Sequence, residues 1–250
     1  MQDSAERHVS EPVRDMYFYH ADSLWDRFPE LSVMVTTARG VASAQDGKVA
    51  FAPILAEVSD MLDASPEGQL PAIQAWRQAY SKMGLKPTQY RCAAEALLRR
   101  FRKDGQLPRF HPVVDSLNAE SMRAAIPVAV YDLARVADGL CVRPATGNET
   151  YETFQGDVET PAEDEVVFVD AQNRAHARRW VYRQAATSTV GAASDDVLIV
   201  AEAMHADGPA DLAQLGDRLT QRAAELGVTM AAPTFLTADK PRYDFEGPAQ

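Results

Sequence analysis

Asp115 and Asn118 stand three residues apart in Val113-Val114-Asp115-Ser116-Leu117-Asn118, a spacing that puts both on one face of a helix. Two poor helix formers beside an apolar stripe either wall a polar pocket or bond neighbouring loops. Asp132 closes Val130-Tyr131-Asp132, where its carboxylate is placed to N-cap a short turn. Arg143, after Cys141-Val142, calls for a carboxylate or phosphate if its side chain points inward. In Ala177–Gln184, strand periodicity groups Arg179, Val181 and Arg183 on one face and Trp180, Tyr182 and Gln184 on the other. Basic residues interleaved with aromatics suit a phosphate-and-base surface, and equally suit an edge strand with a packed tryptophan. Arg99, Arg100, Arg102 and Lys103 crowd one short helical stretch and read either as phosphate contacts or as a solvated face.

Other chemistries find no support. The phosphate-binding, dinucleotide-binding, nucleophile-elbow and zinc-protease motifs are absent from the chain. The five histidines, His8, His20, His111, His176 and His205, have no ligand spacing, so no metal and no cofactor is expected. Cys92 and Cys141 are the only cysteines, too few for a disulfide framework, and both sit in apolar surroundings that read as packing.

With 250 residues, 46% hydrophobic and 24% charged, the chain is an ordinary globular protein with a sizeable core. It has no apolar run long enough for a membrane span, and its first residues lack the apolar core of a signal peptide, so a cytoplasmic location is expected. The net charge of −11 hides an asymmetry. Residues 77–109 carry 9 basic against 2 acidic residues, whereas both ends are acidic. Phosphate affinity follows local patches, so an RNA partner is permitted although long-range steering is weakened.

The elements that would position these residues follow from periodicity and punctuation. A polar arm covers 1–14, and strands are expected at 16–20 and 31–36 with a turn at Phe28-Pro29. Helices open at Pro53 and Pro71, follow Tyr90, and run from about Pro112 to Ala125, with Gly84 and Gly105 as stops. Strands are expected at 128–131, 140–143, 166–170, 177–183 and 197–201, and a last amphipathic helix runs from Pro209 to Gly227. The order predicts an α+β domain over 15–240, helices packed on a mostly antiparallel sheet, with a tail at 241–250.

The succession of motifs resembles a known family. It comprises Tyr90–Arg100 with Gly105-Gln106-Leu107-Pro108, then Val114–Asn118, Ile126-Pro127 with Tyr131-Asp132-Leu133, Val142–Ala145, Glu165–Asp170, and Arg179-Trp180 with Arg183-Gln184. Together these resemble the B3/B4 domain, the editing and tRNA-binding module of the phenylalanyl-tRNA synthetase β subunit, in free-standing form, best over 71–205. The resemblance implies an editing-domain fold with a central pocket, and an aminoacyl-tRNA deacylase acting in trans. The alternative is a non-catalytic module that keeps the pocket for an amino-acid-like molecule or RNA. Two departures stand out: Ala129 occupies a position that is histidine in the synthetases, and 184–190 holds no carboxylate.

Under the deacylase reading, Asn118, Tyr131 and Gln184 would position water or substrate. Asp115 would bind the α-amino group, with Asp132 and Trp180 at the substrate. Arg143 or Arg179 would hold the carbonyl or terminal phosphate. Arg91, Arg99, Arg100, Arg102 and Lys103 would contact the tRNA backbone. The implied partners are tRNA or aminoacyl-tRNA and a small amino-acid-like molecule, with neither DNA nor membrane among them.

Overall fold

The computed structural model describes residues 13–249. In chain order it contains β1 (Val13–His20), α1 (Asp22–Arg27), β2 (Ser32–Arg39), α2 (Phe51–Ala64), α3 (Pro71–Lys82), α4 (Ala93–Asp104), α5 (Pro112–Ala124) and β3 (Val128–Asp132). There follow β4 (Gly139–Pro144), β5 (Tyr151–Glu152), β6 (Val158–Glu159), β7 (Val166–Val169), β8 (Ala175–Arg178), β9 (Arg183–Gln184) and β10 (Val197–Ala203). The last elements are α6 (Gly208–Leu226), β11 (Thr229–Met230), β12 (Thr234–Leu236) and β13 (Arg242–Ala249).

The strands divide between two main sheets rather than the single sheet expected. The first has the order β13-β1-β4-β7-β8-β9, and the second runs β11-β2-β10-β3 with β12 also paired to β2. All pairings are antiparallel except β1 with β4, which aligns Phe18 with Leu140. Helices α5 and α6 cover the second sheet. The inner face of the first sheet meets the second through Phe18, Phe168 and Tyr131, with ring centroids 6.1 and 5.6 Å apart along that row. The result is an α+β fold whose two sheets share one core.

Local chemistry explains the helix ends. Pro71, Pro112 and Pro209 stand in first turns, where a missing N–H costs nothing. Gly105 and Gly227 close α4 and α6 at φ +66° and +75°, a region that only glycine enters without strain. The Cys92 thiol is fully buried ahead of α4. Burial pushes this thiol up to about 12, which suits packing and not nucleophilic duty.

Three expectations are corrected. The strand expected at 177–183 is a hairpin, β8 and β9, joined by a turn over 179–182. Arg179 and Trp180 take φ +47° and +59°, so the proposed alternation of faces ends at Arg178. Burial explains this strained turn: Trp180 is fully enclosed, its ring 4.9 Å from Phe28 and 5.4 Å from Trp76. The region 21–27, read as a connection, contains α1, which buries Leu24 and Trp25. Residues 242–249, expected as a tail, form a strand paired along β1. Most of the expected arm at 1–14 lies outside the described residues.

Candidate functional site

The second sheet ends at β3 and the first at β9, and a small pocket of about 60 Å³ lies where these edges face each other. Its walls are Pro127–Ala129 and Tyr131 from β3 and its approach, the hairpin turn with Trp180, Tyr182, Arg183 and Gln184, and Ala93 at the start of α4. The lining is mainly apolar, and neither a carboxylate, histidine, serine nor cysteine belongs to it.

Gln184 bridges the two edges, its Nε2 donating to the Val130 carbonyl at 2.7 Å. Along the same edge, the Asp132 N–H donates to the Ser188 carbonyl at 3.0 Å. A sheet edge exposes unpaired backbone groups, and these contacts satisfy only part of the β3 edge. Tyr131 is completely buried, and its hydroxyl has no hydrogen-bond partner among the described residues. Burial, with the nearby Glu202 charge adding to it, raises the phenol well above its ordinary value, so it remains a neutral donor.

Behind the pocket, three groups converge on Glu202, itself only 1% exposed. His20 Nε2 lies 2.6 Å from Oε1, Trp180 Nε1 donates to the same oxygen at 2.8 Å, and Trp76 Nε1 donates to the backbone carbonyl at 3.3 Å. The strained turn is also held from outside. The Arg179 N–H donates to Glu165 at 3.1 Å, and the Trp180 N–H donates to the Val166 carbonyl at 2.7 Å. Beyond Tyr131 lies His176, which bonds Asp170 at 3.1 Å. Burial alone would raise the Asp170 carboxyl, but bonds from His176, Arg174 and backbone N–H groups hold it well below the usual carboxylate range.

Of the residues singled out from sequence, Tyr131, Trp180 and Gln184 meet at this pocket. Arg179 adjoins it, with its guanidinium 4.7 Å over the Tyr90 ring and 5.8 Å from Tyr182. The others are placed elsewhere. Asn118 is half-buried on α5 and is not part of the lining. Asp115 accepts from Arg109 Nε at 2.7 Å and the Phe110 N–H at 2.8 Å, locking the loop before α5. Asp132 caps Ala134 and accepts from the Ser194 hydroxyl at 2.7 Å. Arg143 is bound to Glu149 at 2.6 Å and to Asn173 at 3.1 Å. Each of these three is therefore already occupied by a protein partner.

The basic helix is also less free than its composition implies. Arg99 and Arg102 both pair with the buried Glu67, Arg91 pairs with Glu95, and Arg100 lies 3.6 Å from Asp104. Lys103 forms no carboxylate pair among the described residues. Sequence reasoning singled out neither Glu202 nor Ser188, and met Glu165 only as the first residue of the motif Glu165–Asp170. The available signal for Glu202 was a lone carboxylate in the apolar run Val197–Ala203, opposite a histidine closing another apolar strand.

A family model described as the B3/4 domain matches residues 75–215, more than half of the chain. The chain belongs to the B3/4 domain family. Every lining residue of the pocket falls within the matched part of this B3/4 domain. Among solved structures, the chain is similar to an N-terminal fragment of the phenylalanyl-tRNA synthetase β subunit from Pyrococcus horikoshii, at 9% identity and a TM-score of 0.44. That similarity covers 85% of this chain and 49% of the fragment, so the chain spans about half of its length. No curated protein matches. Among the described residues, no helix is long and apolar enough to cross a membrane, and no cluster of three metal-binding side chains occurs.

Proposed function

We propose that the pocket between β3 and β9 receives the amino-acid end of an aminoacyl-tRNA and hydrolyses its ester. The observation that carries this reading is the buried Tyr131 hydroxyl, unpartnered among the described residues, in a pocket lining that Tyr131 shares with Gln184 inside the part of the chain matched as a B3/4 domain. An ester of this kind is already activated, so its cleavage needs a placed water and donors for the developing oxyanion rather than a triad. Water adds to the carbonyl carbon, the bond to the ribose oxygen breaks, and the products are the free amino acid and the ribose hydroxyl. The neutral Tyr131 hydroxyl donates to the carbonyl oxygen as it gains charge. The Gln184 amide, anchored through Val130, holds the water, and a vicinal ribose hydroxyl assists its deprotonation. Asn118, Asp115, Asp132 and Arg143 do not line this pocket, and this reading assigns them no step.

The tRNA body would run along α4, which starts at the pocket with Ala93 and extends about 18 Å, at about 1.5 Å per residue, to Asp104. Its exposed cations, Arg100 and Lys103 above all, would meet phosphates. A purely binding role for an amino-acid-like molecule is favoured by one observation, a lining that holds neither a carboxylate nor a histidine. The deciding experiment incubates the purified chain with a panel of misacylated tRNAs. Release of amino acid above the spontaneous rate, reduced roughly 100-fold or more by Tyr131→Phe, is expected for hydrolysis. Binding of free amino acids without release from any tRNA would establish the binding module instead.

A further inference from the structure

We infer that Tyr182, together with Tyr90, Arg179 and Arg183, forms a stacking site for a nucleobase at the mouth of the pocket. This rests on the aminoacyl-tRNA reading and places the terminal nucleoside that carries the ester.

Tyr182 belongs to the pocket wall and is only half-buried. One side of its ring is fixed by Tyr90, whose centroid is 5.3 Å away at an interplanar angle of 85°. Arg179 backs this pair, 4.7 Å from the Tyr90 centroid and tied to Glu165. Arg183 differs from Arg179. It is exposed, its guanidinium lies 5.5 Å from the Tyr182 centroid, and no carboxylate pairs with it among the described residues. A planar cation resting on a tyrosine without an ion partner is held by the ring alone, a weak attachment at an exposed site. A purine can take its place on the same face, because every base offers a π-surface and stacking is tolerant of base identity. The released guanidinium then has a phosphate within its reach, the preferred partner of its planar fork.

The geometry of the turn supports this role. The two left-handed residues, Arg179 and Trp180, bury the tryptophan beneath the pocket while Tyr182 and Arg183 stand at its rim. Strain concentrated in this way is common where binding groups must be aimed. The site thus joins an apolar pocket for an amino-acid side chain to an aromatic and cationic rim for the adjoining nucleotide.

The test uses the full chain and a short RNA oligonucleotide whose 3′-terminal base is the fluorescent 2-aminopurine. Stacking on Tyr182 quenches the probe on binding. Tyr182→Ala is expected to remove the quench and weaken binding by roughly 5-fold or more, whereas Tyr182→Phe retains both. Arg183→Ala is expected to weaken binding and flatten its salt dependence while keeping the quench. Circular dichroism and thermal unfolding check that each variant is folded. If Tyr182→Ala misfolds, Tyr90→Ala tests the same rim and is expected to reduce the quench. Equal quenching and affinity in the wild type and the folded alanine variants would overturn the stacking site. Ester hydrolysis by a wild-type protein that shows no quench would overturn it while leaving the aminoacyl-tRNA reading in place. Absence of both hydrolysis and quenching would overturn the two together.

Discussion

Tyr131 carries an unusual combination at the residue scale: full burial, no hydrogen-bond partner among the described residues, and a position in the wall of a pocket. A polar group left unsatisfied in the interior costs about 1–3 kcal/mol. Tyr131→Phe should therefore leave stability unchanged or raise it by about 1 kcal/mol, seen in thermal or denaturant unfolding, while impairing the pocket. A tyrosine whose hydroxyl bonded the fold would show the opposite, a loss of stability. Because burial holds the phenol above its usual value of 10.0, binding that depends on its proton should persist through that pH and not fall there. Glu202 is the contrasting residue. It is buried and shared by His20 and Trp180, so Glu202→Ala orphans a histidine and an indole and should cost about 3–5 kcal/mol.

At the element scale, the pocket is made by two sheet edges that fail to join, with Gln184 spanning the gap. Asp115 shows how a residue with a plausible chemical role can instead secure an element. Its carboxylate closes the loop before α5 through Arg109 and the Phe110 N–H. Asp115→Ala should lower stability by about 1–3 kcal/mol and leave tRNA affinity per folded molecule unchanged, measured by unfolding and filter binding together. Helix α4 presents a similar division. Arg99 and Arg102 hold the buried Glu67, so their reversal to glutamate would damage the fold as well as any RNA contact. Arg100→Glu with Lys103→Glu is the cleaner pair, and should lower the slope of log affinity against log salt by roughly 1–2 with little change in melting temperature.

Considered as a whole, the molecule carries −11 and has many of its arginines tied into carboxylate pairs, so association with RNA should depend on contact more than on long-range steering. The same pairs set its response to acid. Burial would raise Glu149, but backbone N–H groups of the Thr146 turn and Arg143 overcome that and bring it down to about 2 from 4.5. A carboxyl depressed by folding contributes stability that is complete above its unfolded value and disappears as pH falls through the folded one. Asp170 is depressed in the same sense. Stability should thus decline between about pH 4.5 and 2, and Glu149→Gln should flatten that decline in acid-unfolding curves followed by circular dichroism.

The sequence by itself determined the five longer helices but not the short α1, because proline starts, glycine stops and a repeating apolar stripe are local signals that need no partner. It also marked most strands, and the order of its motifs pointed to the B3/4 family. It brought forward Tyr131, Trp180 and Gln184, which the fold then gathered at one pocket. Only the tertiary structure decided the hairpin at 179–182, since burial of Trp180 against Phe28 and Trp76 outweighs the strand preference of the surrounding residues. It alone decided that Asp115, Asp132 and Arg143 are spoken for, because a carboxylate's partner can be 6, 62 or more residues away along the chain. The folding of loops and the packing of distant segments chose the partners of these charged groups, and regular helix or strand spacing could not reveal it.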